Sequence, residues 1–109
     1  MNGAYRILVA GSPDWDDAQE LRLALIRATV PHLPSVVVIH GTCPSGTDAM
    51  TAEWARDYGV RTEEHPAETC AAGAHICLTF IRGGSPGASR SADAAERARI
   101  PVRRYLRAA

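Results

Sequence analysis

The stretch Val36-Val-Val-Ile-His-Gly-Thr-Cys-Pro-Ser-Gly-Thr-Asp48 decides how the chain is read. Its four apolar residues, Val36 to Ile39, form a β-branched run of the length expected for a buried strand. Gly41 and Gly46 bracket a tight loop, and Asp48 opens an alanine-rich amphipathic run. A strand that turns through glycines into a helix leaves unpaired backbone N–H groups beside the positive end of the helix dipole. Such an end attracts phosphate and other anions.

Outward from this stretch, strand and helix patterns alternate. Residues 6–10 predict a strand ending at the turn Gly11-Ser-Pro-Asp14. Asp14 is expected to cap a helix over about 16–29, whose Leu21, Ala24, Leu25 and Ala28 repeat at the spacing of one buried face. Pro31 and Pro34 end it. Residues 35–40 give the second strand and 47–58 the second helix, stopped by Gly59. Strands follow over 60–65 and 76–80, then a glycine- and serine-rich loop over 82–89, a short helix over 91–98 and a last strand over 101–106. The pattern predicts one α/β domain over residues 1–109: an open parallel sheet of about five strands, in the order 3-2-1-4-5, flanked by helices.

The link between the third and fourth strands is short. Pro66 to Ala74 is nine residues, whereas a parallel crossover usually takes a dozen or more. Passing over two strands and returning along a third needs roughly 22 Å, and nine extended residues reach about 30 Å. One helical turn fits there, but a covering helix does not. Part of one sheet face is therefore expected to be bare, and a bare apolar sheet is normally covered by a partner. A homodimer through that face is the expectation.

Composition excludes several function classes. The 109 residues are 46% apolar and 6% aromatic, enough to bury roughly two-thirds of the unfolded surface around an aliphatic core. Twelve basic and twelve acidic side chains give zero formal charge, which argues against nucleic acid as a partner. No run approaches the roughly 20 apolar residues of a membrane span, and the first residues lack a signal-peptide pattern, so the cytoplasm is expected and no membrane contact. Cys43, Cys70 and Cys77 are odd in number and scattered, which suits reduced thiols with no metal role.

In an open parallel sheet, ligands bind beyond the carboxyl ends of the strands where the strand order reverses. Three glycine-bearing loops fall at such ends: Gly11-Ser12, Gly41 to Thr47, and Gly83-Gly-Ser-Pro-Gly-Ala-Ser89. They read as an anion site or as plain turns. The second loop has glycines at P-loop spacing, but Thr47 and Asp48 stand where the phosphate-reaching Lys and metal-binding hydroxyl belong, which excludes an ATPase. His40 and His65 end strands near one edge, available to a ligand or satisfied by backbone. Asp14 and Asp48 sit where helix caps belong, and Arg82 and Arg90 flank the third loop as its evident cations. Trp54, on the second helix, is read as packing in the core or a subunit contact.

Taken in order, Arg6-Ile-Leu-Val-Ala-Gly-Ser-Pro-Asp-Trp15, His40-Gly-Thr-Cys-Pro-Ser-Gly-Thr-Asp48, Ala52-Glu-Trp-Ala55, Glu64-His-Pro-Ala67, Ala72-Gly-Ala-His-Ile-Cys-Leu78, Gly84-Ser-Pro-Gly-Ala88 and Ile100-Pro-Val102 resemble the YspA-like (YAcAr) branch of the SLOG superfamily. That superfamily includes the DNA-processing Smf/DprA proteins and the Lonely Guy enzymes, and the branch is common in actinobacteria and their phages. The resemblance implies a Rossmann-like fold and a pocket for a nucleotide or nucleotide-derived ligand, with no cofactor. With the loops above it points to Gly11, Ser12, Gly41, Thr42, Gly46, Thr47, Asp48, Gly84, Ser85, Gly87 and Arg90 as ligand-binding residues. The chain departs from the branch in three places. Pro13 stands where an Arg is usual, the Gly-Pro-x-Arg-Asn helix after Ala67 is missing, and Ser91 aligns with the catalytic Glu of Lonely Guy enzymes. Without that Glu, a phosphoribohydrolase mechanism lacks its acid/base group. The resemblance therefore implies a binding module, regulatory or sensor-like, with no catalytic residues. The alternatives are a nucleoside monophosphate N-glycosidase that uses Asp48 or His40, and a ligand-free protein-interaction module.

Overall fold

The computed structural model describes residues 4–65, 73–83 and 86–107. Five strands, β1 (Tyr5–Gly11), β2 (Val36–His40), β3 (Arg61–Glu64), β4 (Ile76–Arg82) and β5 (Val102–Arg107), form one sheet. All neighbours are parallel, in the order β3-β2-β1-β4-β5. Three helices flank it: α1 (Ala18–Thr29), α2 (Gly46–Tyr58) and α3 (Pro86–Arg97). This is the predicted α/β Rossmann-like arrangement, and its order reverses between β1 and β4.

Side chains alternate across the sheet. Ile7, Val9, Val38, Leu78 and Phe80 face α1 and α2, where Leu21, Leu25, Trp15 and Trp54 complete the larger core. Leu8, Val37, Ile39 and Cys77 face the other way and meet Ala95 of α3 and Ile100. Trp54 is thus a core residue, stacked at 5.3 Å on Tyr58. The Cys77 thiol is buried 3.3 Å from Thr79 Oγ1, and burial pushes its pKa up, so it is an inert packing group.

Two boundaries differ from the sequence reading. Asp17, not Asp14, caps α1: its carboxylate accepts the Glu20 N–H at 3.0 Å. Trp15 shifts the start, because its ring is buried against Phe80 and its Nε1 donates to Asp17 O at 3.0 Å. α3 begins at Pro86, five residues before the predicted helix, so much of the expected loop over 82–89 is helical. Proline suits the first turn, where its missing N–H has no partner to lose.

The sheet face expected to be bare is not bare. Val37 and Ile39 are 2% and 0% exposed. In register, Arg6 lies opposite Val37, and Glu63 lies opposite Ile39 on the far side of β2. Arg6 donates both terminal nitrogens to Glu63, at 2.9 and 3.0 Å, so this bidentate bridge crosses β2 over those two side chains. His65 Nε2 joins the same carboxylate at 3.0 Å. The bridge lies on the sheet face through which a homodimer was expected from the sequence. The link over residues 66–72 lies outside the described residues.

The bridge makes stability pH-dependent. The Arg6 guanidinium, and then His65, hold the Glu63 carboxyl down at about 2, against an ordinary 4.5. A depressed folded value means the stabilisation is complete above about pH 4.5 and is lost as pH falls toward 2. Glu63→Gln is expected to lower the urea midpoint at pH 7, with a gap from the parent that narrows by pH 3. Circular dichroism at both pH values checks this, and a constant gap would contradict it.

Candidate functional site

The carboxyl ends of β1 and β4 meet the start of α2 at Ser12, which is fully buried. Its N–H donates to Phe80 O of β4 at 2.8 Å. Its carbonyl accepts from Trp15 N, Thr47 N and Thr47 Oγ1 at 3.2, 3.3 and 3.1 Å. Its hydroxyl accepts from Arg82 N at 2.8 Å. One residue thus joins β1, the start of α2 and the end of β4.

The glycines around it are needed for close approach. A Cβ on Gly11 would lie 2.3 Å from Thr47 Oγ1 and 2.5 Å from Phe80 O. Gly46 has φ +66°, and a Cβ there would meet Pro13 O at 2.3 Å. Both positions admit glycine alone for steric reasons.

Asp48 shapes the second loop. Its two carboxylate oxygens accept the N–H groups of Gly41 at 3.2 Å and Cys43 at 3.1 Å. Two of the donors that a phosphate would need are therefore taken by the chain's own carboxylate. Ser45 Oγ donates to Pro13 O at 3.1 Å, which fastens this loop to the first. Thr42 is exposed on the outside of the clamp.

Gly11, Ser12, Gly41, Thr42, Gly46, Thr47 and Asp48 are thus brought together, but most of them act as scaffold. Gly87 falls in the first turn of α3, Arg90 is exposed one turn further on, and Gly84 and Ser85 lie outside the described residues. Arg82, read as a phosphate-neutralising cation, is engaged internally. Its Nη1 donates to Asp14 O at 3.0 Å and Asp16 Oδ2 at 3.2 Å. The Asp17 carboxyl sits below its usual range, held chiefly by the Glu20 N–H and further by Arg107. His40 is satisfied by backbone through Nδ1, 2.8 Å from Gly41 O. Among the described residues, no group of three His, Cys, Asp or Glu side chains could hold a metal ion, and no helix is long and apolar enough to cross a membrane.

The sequence reading missed two groups. The stack His32–Tyr5–His75, with ring centroids 3.5 and 4.9 Å apart, closes the opposite edge of the sheet. A groove of about 260 Å³ between α1 and Tyr105 touches none of the predicted site residues. Neither carries a spacing signal, because each joins residues from distant elements.

The first two glycine loops, with Ser12, Thr47 and the Asp48 clamp, lie within residues 5–71, and over that span the chain matches the model of the YspA, cpYpsA-related SLOG family. The chain belongs to this family. The match takes in β1 to β3 and ends before β4. No curated protein and no solved structure matches the chain. Membership in the SLOG family is consistent with a module that binds a nucleotide-related ligand.

Gly11→Ala tests the junction. Overpacking of this kind costs about 1–3 kcal/mol, and one listener to the added methyl is a backbone carbonyl that cannot swing away. A fall of that size in unfolding free energy, read from urea denaturation, is the expected result.

Proposed function

We propose that this SLOG-family chain binds a nucleotide-derived ligand without transforming it, at the carboxyl edge of the sheet between the Pro13 turn, the Gly41 to Ser45 loop and the start of α3. The observation that carries the reading is the Asp48 clamp, which fixes the second loop against the first. A loop held in one conformation loses less entropy on binding than a free one. The α3 N-terminus, beside the Ser12 junction where strand order reverses, adds a dipole end suited to an anion.

The absence of catalysis is part of the proposal. Both oxygens of Asp48 accept backbone N–H groups, and the proposal gives this carboxylate the work of holding the loop. Ser91 stands where Lonely Guy enzymes carry their Glu, and a hydroxyl does not replace a carboxylate in acid/base work. The reading treats the chain as a regulatory or sensor-like module.

Isothermal calorimetry against AMP, ADP-ribose, NAD and a cyclic nucleotide tests it. Saturable binding of at least one is expected, weakened about tenfold or more by Asp48→Ala through loss of the clamp's charge-assisted bonds. Flat titrations with all four, or release of free base from AMP, would overturn the proposal.

A further inference from the structure

On the other side of the same β2 end, between α2 and the edge strand β3, lies an open groove of about 280 Å³. It is lined by His40, Ala52, Arg56, Val60, Thr62 and Glu64. Of these, only His40 was named in the sequence reading as available to a ligand. His40 forms part of its wall and is 3% exposed. Gly41 O has no proton to give, so His40 Nδ1 is the donor in their 2.8 Å bond. In the neutral ring that places the lone pair on Nε2, which has no hydrogen-bond partner among the described residues.

The other polar groups of the groove are equally uncommitted. Among the described residues, the side chains of Arg56, Thr62 and Glu64 make no hydrogen bond or ion pair. This contrasts with Arg6, Arg82, Arg104 and Arg107, all of which are bonded to carboxylates. One cation, one anion, one hydroxyl and one buried imidazole thus border a single cavity, with Ala52 and Val60 as its apolar part. Several polar groups gathered round one concave surface with an apolar part are a feature of small-molecule sites.

Size and charge choose the ligand class. At about 280 Å³ and open to solvent, the groove lies at the small end of ligand sites. Arg56 calls for a carboxylate, while Glu64 and His40 Nε2 call for N–H donors. We infer that the groove formed by His40, Arg56, Thr62 and Glu64 binds a small zwitterion of amino-acid size, with its carboxylate on Arg56 and its ammonium toward Glu64 and His40. This site is separate from the nucleotide reading and does not depend on it.

The test is a ¹H–¹⁵N NMR titration of the full chain with L-glutamine, with acetate and methylammonium as the two half-ligands and AMP as the nucleotide control. Saturable shifts are expected at the amides of Val60, Thr62 and Glu64 and at the His40 ring. Arg56→Ala and Glu64→Gln, both exposed positions, are each expected to weaken binding about tenfold or more, as is cutting the ligand to either half. No shifts with L-glutamine, unchanged affinity in both variants, a half-ligand binding as tightly as the whole, or AMP producing the same shifts would each overturn the assignment. AMP shifts confined to Gly41–Ser45 and α3 would leave this site standing and locate the nucleotide elsewhere.

Discussion

Everything at the functional edge depends on the backbone of one buried residue. The Ser12 carbonyl takes three hydrogen bonds, two of them from Thr47, and its N–H and hydroxyl hold the end of β4. A buried carbonyl without partners would cost about 1–3 kcal/mol, so the junction tolerates little rearrangement. Its geometry requires Thr47 to lie against the β1 backbone, which in turn requires no Cβ on Gly11. The glycines that look from sequence like a cradle for phosphate are thus first a means of bringing three elements into contact. Any ligand at this edge meets a surface that the junction has already fixed.

The second constraint is the short link between β3 and β4. Read from sequence, a link too short for a covering helix would leave Val37 and Ile39 wet, at a cost of about 1.5–3 kcal/mol for each large aliphatic side chain. A half-exposed ion pair by itself contributes little, about 0–1 kcal/mol. The Arg6–Glu63 bridge does more than its charge suggests, because the long aliphatic stem of Arg6 is laid across the strand between them. The bridge lays a polar layer on a face whose apolar contacts are made with Ala95 of α3 and Ile100.

What was legible in the sequence follows from how local the signal is. The five strands and their order came from apolar runs and from punctuation by glycine and proline, each readable within a dozen residues. Gly59 was placed correctly because a left-handed C-terminal residue is a local demand, and it adopts φ +69°. Asp14 was misplaced as the α1 cap because Asp14, Asp16 and Asp17 carry the same chemistry. Only the burial of Trp15 against Phe80, 65 residues away, selects Asp17. The start of α3 was missed because the glycine- and serine-rich run before Ser91 has poor helix propensity. The Arg6–Glu63 bridge had no signal at all, and of the groove only His40 was singled out, since register across two strands creates both.

The Asp48 clamp changes the meaning of the loop on which the whole reading turns. An N-terminal nest that binds phosphate must keep its N–H groups unpaired and pay to hold them so, because each is costly to bury and prone to collapse. Here the carboxylate three residues into the chain's own helix satisfies Gly41 and Cys43 at ordinary hydrogen-bond distance. An internal anion of this kind is present at a concentration no free phosphate reaches, so a ligand competing for the same N–H groups would first have to displace it. A ligand that instead rests on the outer side of the clamped loop meets Thr42, the Pro13 turn and the α3 end, and gains from the rigidity without displacing anything. The clamp therefore moves the plausible contact surface outward, from the glycines to the side chains and backbone that the glycines allow to meet.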